Sequence, residues 1–179
     1  MSEVIVRPST GADVVFIAGI YAHHVLKGTA TFEIDAPDVE EIARRRDGVL
    51  REGLPYIVAE CDGRVIGYAY AGSYRPRPAY RHTVEDSIYL HPDHTGKGIG
   101  RRLLSELLRQ CELGPWRQMI AVIGDSANLA SIQLHLNAGF RHAGLFQSVG
   151  WKFGRWLDTV LMQRPLGCGD QSPAGTPEA

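Results

Sequence analysis

A glycine-rich turn at residues 94–101 is the segment of the chain best suited to bind an anion. It reads His-Thr-Gly-Lys-Gly-Ile-Gly-Arg and joins a predicted strand to a predicted helix. A helix N-terminus presents unpaired N–H groups and a partial positive charge, and glycine allows the backbone to approach an anion closely. Lys97, Arg101 and Arg102 add positive charge. The segment therefore predicts a cradle for a phosphate or pyrophosphate group.

The spacing of the glycines separates this turn from two common phosphate-binding loops. A P-loop requires G-x-x-x-x-G-K-[ST], which is absent. The dinucleotide pattern G-x-G-x-x-G fails because Arg101 stands at the third glycine position, and because the turn lies in the middle of the chain. On the turn alone, a glycine-rich loop that binds nothing remains the alternative.

Two arginines in an irregular segment form a second group with chemistry of its own. Arg75 and Arg77 flank Pro76, and Pro78 follows, just before a predicted strand. A planar guanidinium binds a carboxylate through two parallel hydrogen bonds, and proline lowers the entropy lost when such a loop is ordered. The pair predicts a clamp for a substrate carboxylate. Two solvated surface arginines are the alternative.

The sequence does not predict a metal site. His91, Asp93 and His94 have suitable side chains, but Pro92 places them in a turn and no further ligand is placed beside them. The cysteines at positions 61, 111 and 168 are far apart and form no CxxC pair. We therefore expect no metal, no disulfide and reduced thiols. The adjacent residues 23 and 24, both histidine, are expected to be partly exposed without a role in a site.

Composition restricts the class of protein. The chain has 179 residues, of which 44% are hydrophobic and 22% charged, which suits one domain with a substantial core. The net charge of -1 indicates neither a nucleic-acid nor a membrane-surface partner. The first residues lack the basic region and long apolar run of a signal peptide, and no window approaches a membrane span. A cytoplasmic protein is predicted.

Hydrophobic periodicity predicts both helices and strands around these candidate site residues. Helices are predicted at 14–25, from 38 to about 52, directly after Gly100, and at 128–137. Strands are predicted at 4–7, 56–60, 65–71, 83–90, 119–123, 144–150 and 156–163, and residues 29–33 are β-prone. The mixture indicates an α/β (α+β) class with one sheet. We expect a domain at residues 1–164 and a disordered tail at 165–179, which is rich in Gly, Pro, Ser and Asp.

Two motifs resemble those of the GNAT superfamily of N-acetyltransferases. The superfamily's pyrophosphate loop reads [QR]-x-x-G-x-[GA], which here aligns with residues 95–100 and places Thr95 at the Gln/Arg position. The helix after its central strand commonly reads N-x-x-[AS]-x-x-x-Y-x-x-x-G-F. The corresponding residues of this chain are Asn128, Ser131, His135, Gly139 and Phe140, with histidine in place of tyrosine.

The resemblance narrows to the phosphinothricin and methionine sulfoximine acetyltransferase group. It is carried by the segments 28–33, 83–90, 121–124 and 150–158 and by His135, and it covers residues from about 4 to 164. It implies a GNAT fold, in which a single mixed, twisted sheet has helices on both faces and opens near Leu90 to admit acetyl-coenzyme A. It also implies a homodimer. A direct transfer without a nucleophilic cysteine is expected.

The same resemblance implies a cofactor site. The pantetheine arm would run along Ile88, Tyr89 and Leu90 as an added strand does, and the backbone N–H of Leu90 would polarise the thioester carbonyl. The pyrophosphate would lie on Gly96, Lys97, Gly98, Ile99, Gly100 and Arg101. Asn128 and Ser131 would contact the cofactor from the next helix.

Two side chains are candidates for proton transfer. Glu85 would deprotonate the attacking amine, directly or through a water, and strand alternation places it on one face with Ser87 and Tyr89. His135 would protonate the departing thiolate, since histidine exchanges a proton near neutral pH. The alternatives are a surface carboxylate paired with an arginine and a half-buried structural histidine.

The predicted substrate is the α-amine of a small amino acid or analogue, of the phosphinothricin, methionine sulfoximine or methionine sulfone type. Its pocket is expected to contain Phe32, Arg75, Arg77, Tyr80, Thr83 and Glu85. Lys152, Trp156 and Asp158 match family positions without an assigned role. Alternatives within the enzymes are an acetyltransferase for peptide N-termini, polyamines or aminoglycosides, although two arginines would repel a polycation. An acetyl-coenzyme A-binding module without catalysis is the alternative from another class.

Overall fold

A seven-stranded sheet organises residues 3–174, the part of the chain that this computed structural model describes. The strands are β1 (Val4–Pro8), β2 (Tyr56–Cys61), β3 (Arg64–Ser73), β4 (Thr83–Leu90), β5 (Gln118–Gly124), β6 (Arg141–Lys152) and β7 (Arg155–Pro165). The α-helices are α1 (Val14–Lys27), α2 (Val39–Arg51), α3 (Ile99–Glu112) and α4 (Leu129–Asn137). The predicted elements are present, with bounds that differ by a few residues.

The sheet has the order β1-β2-β3-β4-β5-β7-β6, and only β4 and β5 pair in parallel. Their pairing is short, since it joins Thr83–Asp86 to Gln118–Ala121 and goes no further. Beyond Asp86, β4 continues beside β3 while β5 continues beside β7. The two strands therefore separate over residues 87–90, which confirms the predicted opening near Leu90.

Helices cover both faces of the sheet, as predicted. On one face, α1 and α2 pack over a cluster that includes Val58 and Tyr68. On the other face, α3 buries one side over Ile57 and Ala59. The buried residues of α3 recur at helical spacing and form part of the core: Ile99, Leu103, Leu104, Leu107, Leu108 and Cys111.

Glycines determine where two of these helices begin and end. Gly98 is the N-cap of α3 and has φ of 77°, a left-handed conformation that glycine adopts without strain. At the end of α4, Gly139 has φ of 86°, and the amides of Gly139 and Phe140 donate to the carbonyls of Leu136 and His135. This is a Schellman ending, and it fixes the last turn of α4, from which His135 projects.

The β-prone segment 29–33 is not a strand. Its backbone is held instead by Lys152, whose Nζ donates to the carbonyls of Gly28 at 2.9 Å and Thr31 at 2.8 Å. A lysine that is 3% exposed must bring its ammonium to acceptors, and these carbonyls supply them. The prediction failed because β-propensity does not report a long-range side-chain partner.

The packed chain extends past the expected boundary at residue 164. β7 continues to Pro165, and Leu166 is fully buried, with its amide donating to the carbonyl of Arg117 over 2.9 Å. The core therefore includes at least one residue of the segment 165–179 for which disorder was expected. The last five residues of that segment lie outside the described range.

Candidate active site

A cleft of about 390 Å³ lies where β4 and β5 separate. Its walls come from both sides of the sheet, because α1 and the segment after it contribute His24 and Ala30 while α4 contributes Leu134. Most of the predicted cofactor residues line it: Ile88, Tyr89, Leu90, Gly96, Gly98, Gly100, Arg101, Asn128 and Ser131. The cleft thus joins the glycine turn to the opened edge of the sheet.

Two predicted cofactor residues are not part of the lining. The ammonium of Lys97 turns back and donates to the carbonyl of Asp93 over 2.7 Å. The side chain of Ile99 is 2% exposed and packs in the core under α3. Ile99 therefore packs in the core, and the ammonium of Lys97 is held by a carbonyl of its own turn.

The glycine turn leaves room above its backbone. Gly96 and Gly98 have φ of 71° and 77°, and a Cβ at either position would have nothing within 4 Å. Backbone conformation, not crowding, therefore requires glycine at these two positions. With the N-terminus of α3 directly after it and Arg101 in the lining, the turn has the geometry and charge of an anion site.

His24 holds the end of β4 at the cleft. Its Nε2 lies 2.8 Å from the carbonyl oxygen of Leu90, and burial lowers the pKa of the imidazole. Because a carbonyl oxygen only accepts, Nε2 carries the proton in this contact. The partial exposure predicted for His24 is confirmed, and the structure in addition places the residue in the cleft wall, which the sequence did not indicate.

Glu85 lies on the α1 face of β4, two residues before Ser87. Burial raises the pKa of its carboxyl group to about 7, the charge of Asp86 acts in the same direction, and Arg75 partly opposes them. Gly72 stands opposite Glu85 on β3, and a Cβ there would have nothing within 4 Å. The carboxylate therefore has open space beside it and a proton affinity suited to a base near neutral pH.

His135 forms a buried pair with Asp86 on the other face of β4. Its Nε2 lies 3.0 Å from Asp86 Oδ2, and its Nδ1 lies 2.7 Å from the carbonyl oxygen of Ser131. Burial lowers the pKa of His135, but the hydrogen bond and charge of Asp86 outweigh it, so that the pKa lies above its ordinary value. Both residues line the cleft.

Asp86 was not identified from the sequence. The sequence contained one indication of Asp86, namely its position next to Glu85 on a predicted strand. Strand alternation places two consecutive carboxylates on opposite faces of the sheet. What the sequence did not contain was the partner, because 49 residues separate Asp86 from His135.

Phe32 and Lys152 connect the segment 28–33 to β5 and β6. A Cβ at Gly124 would lie 3.0 Å from Phe32 Cε1, and one at Gly150 would overlap the same ring. The ring therefore occupies space that two glycines of β5 and β6 leave open. Lys152 fixes the backbone of the same segment, which gives a positioning role to a residue that the sequence left unassigned.

The remaining predicted substrate residues lie in the segment before β4 and at its start, outside the lining of the cleft. Arg75 is exposed, its guanidinium carbon is 4.9 Å from the centroid of the Tyr74 ring, and its charge acts on Glu85. The rings of Tyr74 and Tyr80 meet edge to face at 5.7 Å. Thr83 begins β4. Arg77 is exposed directly before the turn 78–80, and no contact in the structure links it to Glu85 within residues 3–174.

Residues 3–174 contain neither a cluster of side chains suited to a metal ion nor a helix suited to span a membrane. Histidine, cysteine and carboxylate side chains do not come together there in groups of three or more that could hold a metal ion. No helix in the same range combines the length and the apolar character that crossing a membrane requires.

Sequence comparison connects this geometry to known proteins. Residues 17–140 match the model of the acetyltransferase (GNAT) family. The chain is 58% identical over 165 residues to a phosphinothricin N-acetyltransferase of Alcaligenes faecalis, covering 92% of this chain and 84% of the relative. It is 40% identical over 161 residues to an L-methionine sulfoximine/L-methionine sulfone acetyltransferase of Salmonella typhimurium, covering 90% and 94%.

Structural comparison gives the same result. A GNAT superfamily phosphinothricin acetyltransferase from Sinorhizobium meliloti, solved in complex with acetyl-coenzyme A, superposes with a TM-score of 0.93 at 48% identity. The match covers 97% of this chain and 94% of that one. The opened sheet and the helices on its two faces are thus shared with a solved structure.

Proposed function

The chain belongs to the GNAT family of acetyltransferases, and from this premise we propose that it transfers an acetyl group from acetyl-coenzyme A to the α-amine of a free amino acid or a close analogue. Phosphinothricin, methionine sulfoximine and methionine sulfone are the acceptors that its relatives indicate. The observation that carries the proposal is the cleft at the separated strands, which joins an anion-binding turn to Asp86 and His135, with Glu85 one residue away across the strand.

The residues of the cleft fit acetyl-coenzyme A. Gly96 and Gly98 leave open space at the start of α3, where a pyrophosphate would be held, and the separated part of β4 has free edge positions for an amide-containing chain. When bound, acetyl-coenzyme A supplies an acetyl group activated as a thioester. The backbone N–H of Leu90 is our candidate for polarising the carbonyl, and His24 holds that residue in place.

Glu85 is the proposed general base. The α-amine of a peptide has a pKa of about 8, so roughly a tenth of it is neutral at pH 7, and the neighbouring carboxylate of a free amino acid makes that fraction smaller still. The pKa of Glu85, raised to about 7, is close enough to that of the amine for efficient proton transfer. The free space beside Gly72 supports access of the amine to this carboxylate.

His135 is the proposed source of the proton for the departing thiolate. It lies in the cleft wall, and Asp86 favours its protonated form. A thiol of ordinary pKa, about 8.5, requires only modest acid assistance. Both ring nitrogens of His135 are hydrogen-bonded. The Nε2 proton can therefore reach the thiolate only if Nε2–H breaks its hydrogen bond to Asp86 or if Asp86 relays the proton.

Arg75 is the proposed partner of the substrate carboxylate. It is exposed, close enough to Glu85 to affect its ionisation, and lies against Tyr74, which restricts its movement. An α-amino acid places its carboxylate two bonds from the amine, so one group at Arg75 and the other at Glu85 would orient it. Arg77, Tyr80, Thr83 and Phe32 complete the proposed pocket.

We also propose that the enzyme works as a cytoplasmic homodimer. β6 is an edge strand, and exposed apolar residues lie on it and on its hairpin with β7: Leu145, Phe146, Val149, Trp151, Phe153 and Trp156. Such a surface is typical of an interface between subunits. The free cysteines at 61, 111 and 168 suit a reducing compartment. Light scattering of the purified protein tests the dimer.

A thiol-release assay tests the proposed function. Acetyl-coenzyme A is supplied with phosphinothricin, methionine sulfoximine, methionine sulfone, free amino acids, a polyamine and a short peptide. Turnover confined to amino acids and their analogues is expected. Turnover on the peptide or polyamine alone would overturn the role of Arg75, and no turnover on any amine would favour a binding module.

A matched pair of variants accompanies the assay. Glu85→Gln removes the proposed base and keeps its shape, whereas Glu112→Gln changes an exposed glutamate of α3 that pairs with Arg164. We expect acetyl-coenzyme A binding in both and loss of turnover only in the first.

A further inference from the structure

Asp86 occupies an unusual position between the two proposed proton-transfer groups. It follows Glu85 directly on β4 but points to the opposite face of the sheet, where its side chain is 2% exposed beside His135. Its Oδ2 receives the His135 contact, whereas no partner for its buried Oδ1 is found within residues 3–174. A buried carboxylate oxygen without a partner costs free energy, so packing alone does not account for aspartate here.

The contacts of His135 define where its protons are. The carbonyl oxygen of Ser131 only accepts, so Nδ1 carries a proton and donates it over 2.7 Å. The remaining nitrogen, Nε2, faces Asp86 at 3.0 Å. One proton is therefore shared between Nε2 and the carboxylate, in a place where the two side chains are 5% and 2% exposed. The ring of Phe140 closes the pair on one side, at 5.0 Å.

The other titratable groups around the pair do not replace Asp86 as the group that influences the protonation of His135. From α3, Cys111 is fully buried, and burial together with the charge of Asp86 raises the pKa of its thiol to about 12, so it stays neutral. Glu112 follows it on the helix and acts on the same thiol. From β4 itself, Glu85 lies across the strand and is affected by the charge of Asp86.

We propose that Asp86 is a positioning residue for acetyl transfer, one that holds His135 Nε2 through their buried hydrogen bond and so orients the imidazole in the cleft wall. The inference rests on the proposed function, since that function assigns His135 to the reaction. The charge of Asp86 also raises the pKa of His135, and it adds to burial, the larger cause, in raising the pKa of Glu85 on the other face. Both effects have the same sign, because a negative charge favours the protonated form of each neighbour.

Titration of His135 by NMR tests the inference without requiring turnover. The imidazole signal is assigned by its absence from His135→Gln. In the unaltered protein we expect a midpoint above the ordinary histidine value of about 6.5. In Asp86→Asn, which keeps the side-chain shape and removes the charge, only the hydrogen bond to the Ser131 carbonyl still opposes burial, and the midpoint should fall. A midpoint below about 6.5 in the unaltered protein, or one that Asp86→Asn leaves in place, overturns the inference.

The pH dependence of turnover provides the second measurement. In Asp86→Asn we expect both limbs of the profile to move to lower pH, kcat at pH 7.5 to fall at least tenfold, and KM for acetyl-coenzyme A to change less than threefold. Combined with His135→Gln, the substitution should no longer affect the alkaline limb. Cys111→Ala controls for disturbed packing near Asp86, and its pH limbs should remain in place.

The outcomes separate the inference from the function on which it rests. If the unaltered protein acetylates no amine, the proposed function fails, and the NMR titration still decides whether Asp86 controls His135. If it acetylates amino acids but Asp86→Asn leaves both pH limbs unmoved, the function stands and the inference is overturned. Should Asp86→Asn fail to fold, the titration midpoint of the unaltered protein decides.

Discussion

His24 donates from Nε2 to the backbone carbonyl oxygen of Leu90 across 2.8 Å, and this contact joins α1 to β4 where the sheet opens. The residues are 66 positions apart in the chain. Beyond Asp86 the strand no longer has β5 beside it, so its end depends on β3 and on such side-chain contacts for its position. Since Leu90 lies in the cleft wall, the contact affects the edge on which the cofactor is proposed to bind.

Removing this donor should weaken cofactor binding. In His24→Leu the Leu90 carbonyl loses its partner, and a net hydrogen bond of about 0.5–1.5 kcal/mol corresponds to roughly a two- to tenfold rise in KM for acetyl-coenzyme A. His23→Leu is the matched control, because that neighbouring histidine is exposed. Steady-state kinetics and calorimetry check the change. Equal effects of the two substitutions would contradict a specific role for the contact.

Activity should fall as the pH drops through about 7. The proposed base, Glu85, can accept a proton only when it is ionised, and burial, followed by the charge of Asp86, raises its pKa to about 7. Protonation below that pH therefore removes the base, and the acid limb of kcat should follow it. In Glu85→Gln this limb should disappear and kcat should fall by roughly 10²–10⁴-fold. The ionisation of the amine itself remains and serves as an internal reference. An unchanged acid limb in the variant would assign it to another group.

Replacing Arg75 should affect both substrate binding and the pH profile. Arg75→Met removes the proposed carboxylate partner, so KM for the amino acid should rise roughly tenfold, as expected for a hydrogen bond between charged groups. Because Arg75 lowers the pKa of Glu85, its loss should also move the acid limb to higher pH. Arg44→Met, at a guanidinium that is 76% exposed on α2, is the control. A higher KM without a shift of the limb would place Arg75 farther from Glu85 than the structure does.

Gly150 should not tolerate a methyl group. A Cβ there would overlap the Phe32 ring, so Gly150→Ala should displace the segment 28–33 and destabilise the fold by about 1–3 kcal/mol, the usual range for overpacking. For a chain of this size, that corresponds to a fall in melting temperature of roughly 2–4 °C per kcal/mol. Thermal unfolding measures it, and KM for the amine should rise in parallel.

Two further substitutions identify the cause of that loss. Adding Phe32→Ala should restore part of the stability if the overlap is with this ring. Gly48→Ala, in the interior of α2 with nothing within 4 Å of the added carbon, should instead be neutral or stabilising. A loss of stability at both glycines would point to backbone effects rather than to the ring.

Local patterns were sufficient for much of this molecule. The glycine turn could be found because the backbone conformation at Gly96 and Gly98 is a requirement of the turn itself. The buried face of α3 follows from its periodicity, and the placement of Glu85 follows from strand alternation. Each of these depends on residues that are close together in the chain.

The contacts that the sequence did not indicate have a common feature. The sequence predicted His24 to be partly exposed, left Lys152 without an assignment, and gave residues 29–33 the propensity of a strand. In each case the decisive partner is distant: Leu90 for His24, and the carbonyls of Gly28 and Thr31 for Lys152. Propensity and periodicity carry no information about a polar group that approaches from another element.

The sequence by itself therefore determined the elements, the glycine turn and the side chains that are able to exchange protons, because these depend on residue type and short-range spacing. Only the tertiary structure decided which of those side chains act on one another. The fold brings Asp86 to His135, and it removes Glu85 and Asp86, which are already neighbours in the chain, from water, so that the charge of Asp86 acts strongly on both. Burial and distance set the strength of such interactions, and both are properties of the folded chain.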